Sequence, residues 1–257
     1  MIARPVPDGL LCIRQLDHAA LSGELARAWG GAMPPLFPRE PVELAIARHD
    51  AGWTELDAAP VPDPRTGFPH TYRTHPTPEA LGVAERSVAR VSAADPYAGW
   101  LVSRHFASFH AASESLEART WVTAQVGTRA ELLARAWPRV GREALHPHVL
   151  EANVDWLQLL DAVSLALCED WESWTSRETC AAYGESTTTF RYRRLESTGD
   201  PPRVRGSVEP WPFARGELSL EVPAALLAAG PWPDPESLAR AWTGARPARL
   251  EVRLVPG

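Results

Sequence analysis

The sequence contains no lysine: all 26 basic residues among its 257 are arginines. Schiff-base chemistry on a lysine is thereby excluded, and so is a phosphate-binding P-loop of the usual kind, whose lysine reaches the phosphates. No apolar run approaches the roughly 18 to 20 residues that a membrane helix needs. The opening MIARPVPDGLL meets a proline and an aspartate too early for a signal peptide, which makes the cytoplasm the expected compartment. Only three cysteines occur, Cys12, Cys168 and Cys180, with neither a CxxC pair nor a disulfide framework, so they read as reduced, mostly buried thiols. No GxSxG or GxGxxG is present, and no Ser or Cys nucleophile is assigned. Basic charge is short as well: the 26 arginines face 32 acids, and the net −6 suits neither nucleic-acid phosphates nor an anionic membrane.

What is present is enough apolar residue, 45 %, and enough length to build a core without disulfides or a structural metal. Arginine in place of lysine, with abundant Ala, Pro and Gly, suggests a GC-rich bacterial genome. Up to about Trp174 apolar residues recur at three and four positions between Gly and Pro breaks, the helical period. After about Gly184 the texture changes. Ser186 to Arg194, Gly216 to Val222 and Arg249 to Val255 carry β-formers between Pro and Gly, and Asp234-Pro-Glu opens one intervening helix that runs to Gly244. The expected fold is mainly α: a helical bundle over residues 1–183 with a small antiparallel β annex over 184–257. The proline-rich stretch from Thr54 to Pro78 reads as a long ordered loop, a length common in functional covers.

Polar groups interrupt the apolar faces of four predicted helices. His18 shares a face with Leu21, Leu25 and Trp29, and His49 with Val42, Ala45, Ile46 and Trp53, with Asp50 beside it. His105 lies among Leu101, Val102, Phe109 and Ala112, and Asp161 among Val154, Leu157, Leu165 and Cys168. Each alone reads as a hydrogen-bonded core residue. Together, three imidazoles and two carboxylates in one core are costly unless they share a partner, and a metal ion would satisfy all of them. Imidazole with carboxylate suits one or two divalent ions of Fe, Mn, Ni, Zn or Mg.

The order His18, His49-Asp50, His105, Asp161 resembles the HD-domain superfamily, named for a His-Asp doublet between an earlier His and a later Asp. The stretches QLDHAALSGELARAWG, HDAGW, LVSRHF and LLDAVSLALCE also resemble a poorly characterised bacterial family of unknown function, over about residues 10 to 175 and loosely on to Pro210–Phe213. The resemblance implies a helical bundle that binds one or two ions and hydrolyses phosphate esters. His18, His49, Asp50 and Asp161 would hold the first ion, and His105 a second ion or the substrate. Many phosphohydrolases of that superfamily follow the doublet with Gly-Lys, where this sequence has Gly52-Trp53. Relatives with two irons use further histidines, for which His105, then His70, His75 or His110, are the candidates.

The leading expectation is a metal-dependent hydrolase of a small phosphorylated or otherwise anionic molecule. Glu55 and Asp57 are candidate bases or orienting acids, and Arg48, Arg104 and Trp53 are candidate substrate contacts. Solvated acids, surface ion pairs and aromatic packing are the plain alternatives for these residues. Two further expectations stand beside it, a di-iron oxygenase and a non-catalytic binding protein that keeps the fold. The expected partners are a small-molecule substrate and, as an option, a second copy of the chain.

Overall fold

The computed structural model describes residues 1–182 and 186–257. It opens with a hairpin, β1 (Ile2–Val6) and β2 (Gly9–Ile13). Gly9 sits at φ 141°, and a Cβ there would meet the Leu227 carbonyl oxygen at 2.0 Å, so the turn requires glycine. From β2 the chain passes directly into α1 (Gln15–Ala28), then α2 (Arg39–Arg48), a 3-10 turn (Ala51–Trp53) and α3 (Thr54–Ala58). An irregular stretch leads to α4 (Thr77–Ala94), α5 (Pro96–His110), α6 (Leu116–Ala144) and α7 (Pro147–Cys168). The C-terminal part holds β3 (Ser173–Thr175), β4 (Thr179–Ala182), β5 (Ser186–Thr188), β6 (Arg191–Gly199), β7 (Pro202–Glu209), β8 (Leu218–Leu227), α8 (Pro235–Thr243) and β9 (Arg246–Pro256).

The strands correct the expected architecture. Instead of a helical bundle with a small antiparallel annex, seven strands form one large mixed sheet in the order β1-β2-β8-β9-β7-β6-β3, with β7 and β9 parallel. The N-terminal hairpin belongs to it, because Leu11 of β2 pairs with Leu226 of β8. The boundary expected at 183/184 lies outside the described residues. Alternation along the long strands explains the sheet's two faces. Leu250, Val252 and Leu254 of β9 are buried, while Arg249, Glu251 and Arg253 between them point outward to ion pairs with Glu221, Arg203 and Glu217.

The inner face covers the helices, with Trp29 of α1, Trp156 of α7 and Phe190 before β6 in ring contact at their junction. Around this junction α1, α2, α5 and α7 pack on one another. The helix that carries His105 stops at His110, and α6 starts anew with Ser115 accepting from the Ala118 N–H. At α8 the expected cap is present, Asp234 accepting from the Ser237 N–H at 2.7 Å. Cys12 and Cys168 are free and buried, and the side chain of Cys180 is outside the described ones. Among the described residues no helix is long and apolar enough to cross a membrane.

Candidate metal centre

Each of the four packed helices delivers one part of the centre. His18 lies in the first turn of α1, whose start has no side-chain cap from its own preceding residue. The cap comes from α3: Asp57 Oδ2 accepts from the Gln15 backbone N–H at 2.6 Å, and its other oxygen lies 2.8 Å from the Met1 amino nitrogen. Asp57 is thus buried as a helix-capping acid that sets where α1 begins. Burial pushes its carboxyl up, with the Met1 amine opposing.

The doublet solves a geometric problem. Neighbouring residues on a helix diverge by about 100°, so both can turn to one point only where the helix ends. His49 keeps helical angles (φ −53°, ψ −33°) and closes α2, while Asp50 leaves the helix at φ −95°, ψ 19°. Gly52 then presses the turn onto α4: its N–H donates to Ser87 Oγ at 2.8 Å, and a Cβ would stand 2.0 Å from the Val83 carbonyl oxygen. His105 projects from α5 and Asp161 from the middle of α7.

The side chains converge. His18 Nε2 is 3.1 Å from Asp161 Oδ1 and 3.5 Å from Asp50 Oδ2. His49 Nε2 is 3.4 Å from the same Asp161 oxygen and 3.5 Å from the same Asp50 oxygen. One ligand atom each from His18, His49 and Asp161 fall within 4.8 Å of one another, a group that could hold a metal ion, and among the described residues it is the only such group. His105 adjoins it, with Nε2 3.7 Å from Asp161 Oδ2. All five residues are buried, with Asp161 at 7 % and Asp50 at 5 % keeping the most exposure.

Hydrogen bonds on the far side of each ring orient the ligand atoms. His49 Nδ1 donates to the Ile46 carbonyl at 2.8 Å, which leaves Nε2 as a lone pair. His18 Nδ1 lies 2.5 Å from Ser164 Oγ, whose own proton goes to the Asp161 carbonyl at 3.0 Å. In the tautomer in which Ser164 accepts from His18, that Nε2 is a lone pair too. With both rings in that tautomer, two imidazole lone pairs and two carboxylates face one another, a set that a cation, metal ion or proton, would satisfy. With protons as the only cations, burial opposes charging His18 and His49, but the two carboxylates outweigh it and raise both, His49 to about 9. Burial likewise opposes ionising Asp50 and Asp161, and the imidazoles outweigh it and lower both. His105 goes the other way, pushed down to about 4 by burial with Asp161 offsetting only part.

The remaining candidates are engaged elsewhere. Glu55 is half exposed and pairs with Arg90 and Arg86. Arg48 is exposed at the end of α2. Arg104 binds Glu151 at 2.9 Å and lies over the Trp100 ring. Trp53 is buried, its ring 5.3 Å from that of His75, which stacks on His70. His110 packs against Trp121.

Gln15, Ser22 and Ser164 escaped the sequence reading although all three adjoin the centre. Their signal was available as helical spacing, since Gln15 and Ser22 flank His18 by three and four residues and Ser164 follows Asp161 by three.

The family model described as "Protein of unknown function (DUF3891)" matches residues 1–229, and the chain belongs to that family. No curated protein matches the chain. No solved structure matches it either.

Proposed function

We propose that this DUF3891 member is a metal-dependent hydrolase of the HD-domain type, its ion held by His18, His49, Asp50 and Asp161. The observation that carries the reading is convergence: ligand atoms of His18, His49 and Asp161 fall within 4.8 Å of one another at a buried point, and Asp50 Oδ2 lies 3.5 Å from both rings. Bound there, a divalent ion supplies a water of lowered pKa and polarises the substrate's oxygen. The chain's own residues do the rest. Ser164 and the Ile46 carbonyl hold the two rings in the ligating tautomer, Asp57 anchors the start of α1, and Gly52 seats the doublet. His105, kept neutral by burial beside Asp161, is placed to exchange a proton with the reacting group. The substrate class, a small phosphorylated or otherwise anionic molecule, rests on the sequence resemblance.

A di-iron oxygenase acting on a small polar substrate is the second reading, supported by His105, a third imidazole whose Nε2 lies 3.7 Å from Asp161 Oδ2 and which would join the residues that hold two irons.

Elemental analysis of untagged protein purified without chelator, beside Asp50→Ala, tests both readings. About one or two Mn, Ni, Zn or Mg ions per chain, lost in a still-folded Asp50→Ala, together with metal-dependent cleavage of phosphate esters, are expected. About two irons per chain would replace the hydrolase by the oxygenase. Full metal retention by Asp50→Ala, or no uptake by the wild type after reconstitution, refutes the site and leaves a binding protein.

A further inference from the structure

Gln15 opens α1, one turn before His18, and its side chain is 2 % exposed. Its backbone is fixed by the bond to Asp57, and its Nε2 donates to Asp50 Oδ2 at 3.2 Å, the same oxygen that faces both imidazoles. The other half of the carboxamide, Oε1, is buried without a hydrogen-bond partner. Buried acceptors are seldom left so in native proteins. Turning the amide over does not help, because it would set the carbonyl oxygen against the Asp50 carboxylate. The chain thus holds an acceptor in place beside Asp50, with no donor among the described residues to meet it.

We propose that Gln15 is a positioning residue of this centre: anchored on Asp50 through its NH₂, it accepts a hydrogen bond through Oε1 from a water bound at the centre and fixes that water's orientation. The inference rests on the metal-binding reading and deepens it. A carboxamide suits the task because its two ends differ: the donor end goes to the carboxylate, and the acceptor end is left for an O–H. An ion held by His18, His49, Asp50 and Asp161 keeps at least one position for water in any coordination number above four.

The test uses the full chain loaded with Co²⁺ and titrated with azide, followed in the visible spectrum. Azide bound in the water's place has no hydrogen for the Gln15 carbonyl, which opposes it in the wild type. Gln15→Met should keep Co²⁺ affinity within about tenfold and bind azide about tenfold more tightly, a gain that general loosening of the fold would not produce. Gln15→Leu should repeat the result. Azide affinity unchanged or weakened in variants that retain Co²⁺ overturns the proposal. So does a loss of Co²⁺ affinity well beyond a hundredfold, which would make Gln15 a ligand. A readout without any variant is water-proton relaxation in the Mn²⁺-loaded wild type: enhancement is expected, and its absence leaves Gln15 nothing to hold. Failure of the wild type to take up Co²⁺ or Mn²⁺ would instead bring down the metal reading itself, an outcome distinct from metal uptake with an indifferent Gln15.

Discussion

Ser164→Ala separates the stability of the fold from the readiness of the centre. Ser164 Oγ lies 2.5 Å from His18 Nδ1, from which it accepts in the ligating tautomer, and accepts from the Ser22 hydroxyl at 2.8 Å. Removing it leaves Ser22 with a second acceptor, the His18 carbonyl at 3.3 Å, but leaves the His18 Nδ1–H with none. One buried unsatisfied donor costs about 1–3 kcal/mol. The ring has an escape, since its proton can move to Nε2, where Asp161 Oδ1 waits at 3.1 Å. That tautomer restores a hydrogen bond to the ion-free chain and occupies the lone pair an ion needs. Ion-free stability should therefore fall by about 1 kcal/mol, the low end of the range, while metal affinity falls roughly 10- to 100-fold. Urea unfolding of the chelator-treated chain gives the first quantity, and competition with a chelating dye for Zn²⁺ gives the second. Ser22→Ala serves as control: it leaves the Ser164 acceptor in place and should hold affinity near that of the wild type. Wild-type Zn²⁺ affinity in Ser164→Ala, with stability reduced, would refute the claim that this hydroxyl sets the ligating tautomer.

Three further outcomes follow from the same geometry. Gly52→Ala forces a methyl to 2.0 Å from the Val83 carbonyl and 2.8 Å from Ser87 Oγ, so α4 must retreat from the doublet; a loss of about 1–3 kcal/mol or more in urea unfolding, with weakened metal binding, is expected. His75 is held down at about 4 by burial, with His70 adding to the effect, whereas the unfolded chain protonates it near 6.5. Its contribution to stability is complete above about pH 6.5 and is lost as pH falls toward 4, so the urea midpoint of the wild type should drop more between pH 7 and pH 5 than that of His75→Gln. Glu55→Gln breaks an exposed pair with Arg90 and should leave both metal content and unfolding midpoint unchanged, whereas loss of metal would return Glu55 to the site.

The centre was legible because its evidence is local. A histidine or aspartate on an apolar helical face is visible within a few residues, and His18, His49, His105 and Asp161 each stood on such a face before the fold was known. What that pattern does not carry is a partner's identity. Asp57 stood beside the doublet as a candidate base or orienting acid, yet it caps α1 and meets the Met1 amine, contacts made across more than one helix. Arg48 and Arg104 neighbour ligands in sequence and turn away from them, because adjacent positions on a helix face different ways. The tautomer-setting Ser164 was missed for a related reason, since a serine on a helix is unremarkable until the atom opposite it is an imidazole nitrogen.

The sheet was hidden by the opposite circumstance, evidence spread across the whole chain. β1 and β2 carry Pro5 and flank Pro7-Asp8 inside the span expected to be a helical bundle, and they become strands because β8 offers Leu226 and Leu227 as partners from the far end of the sequence. No window of periodicity spans that distance, and strand propensity is settled by such neighbours. The consequence reaches the site. β2 runs into α1 with Arg14 alone between them, so the pairing of β2 with β8 fixes where Gln15 and His18 begin. The part of the fold expected to be a small annex is therefore the part that holds α1 in register with the other three helices of the candidate centre.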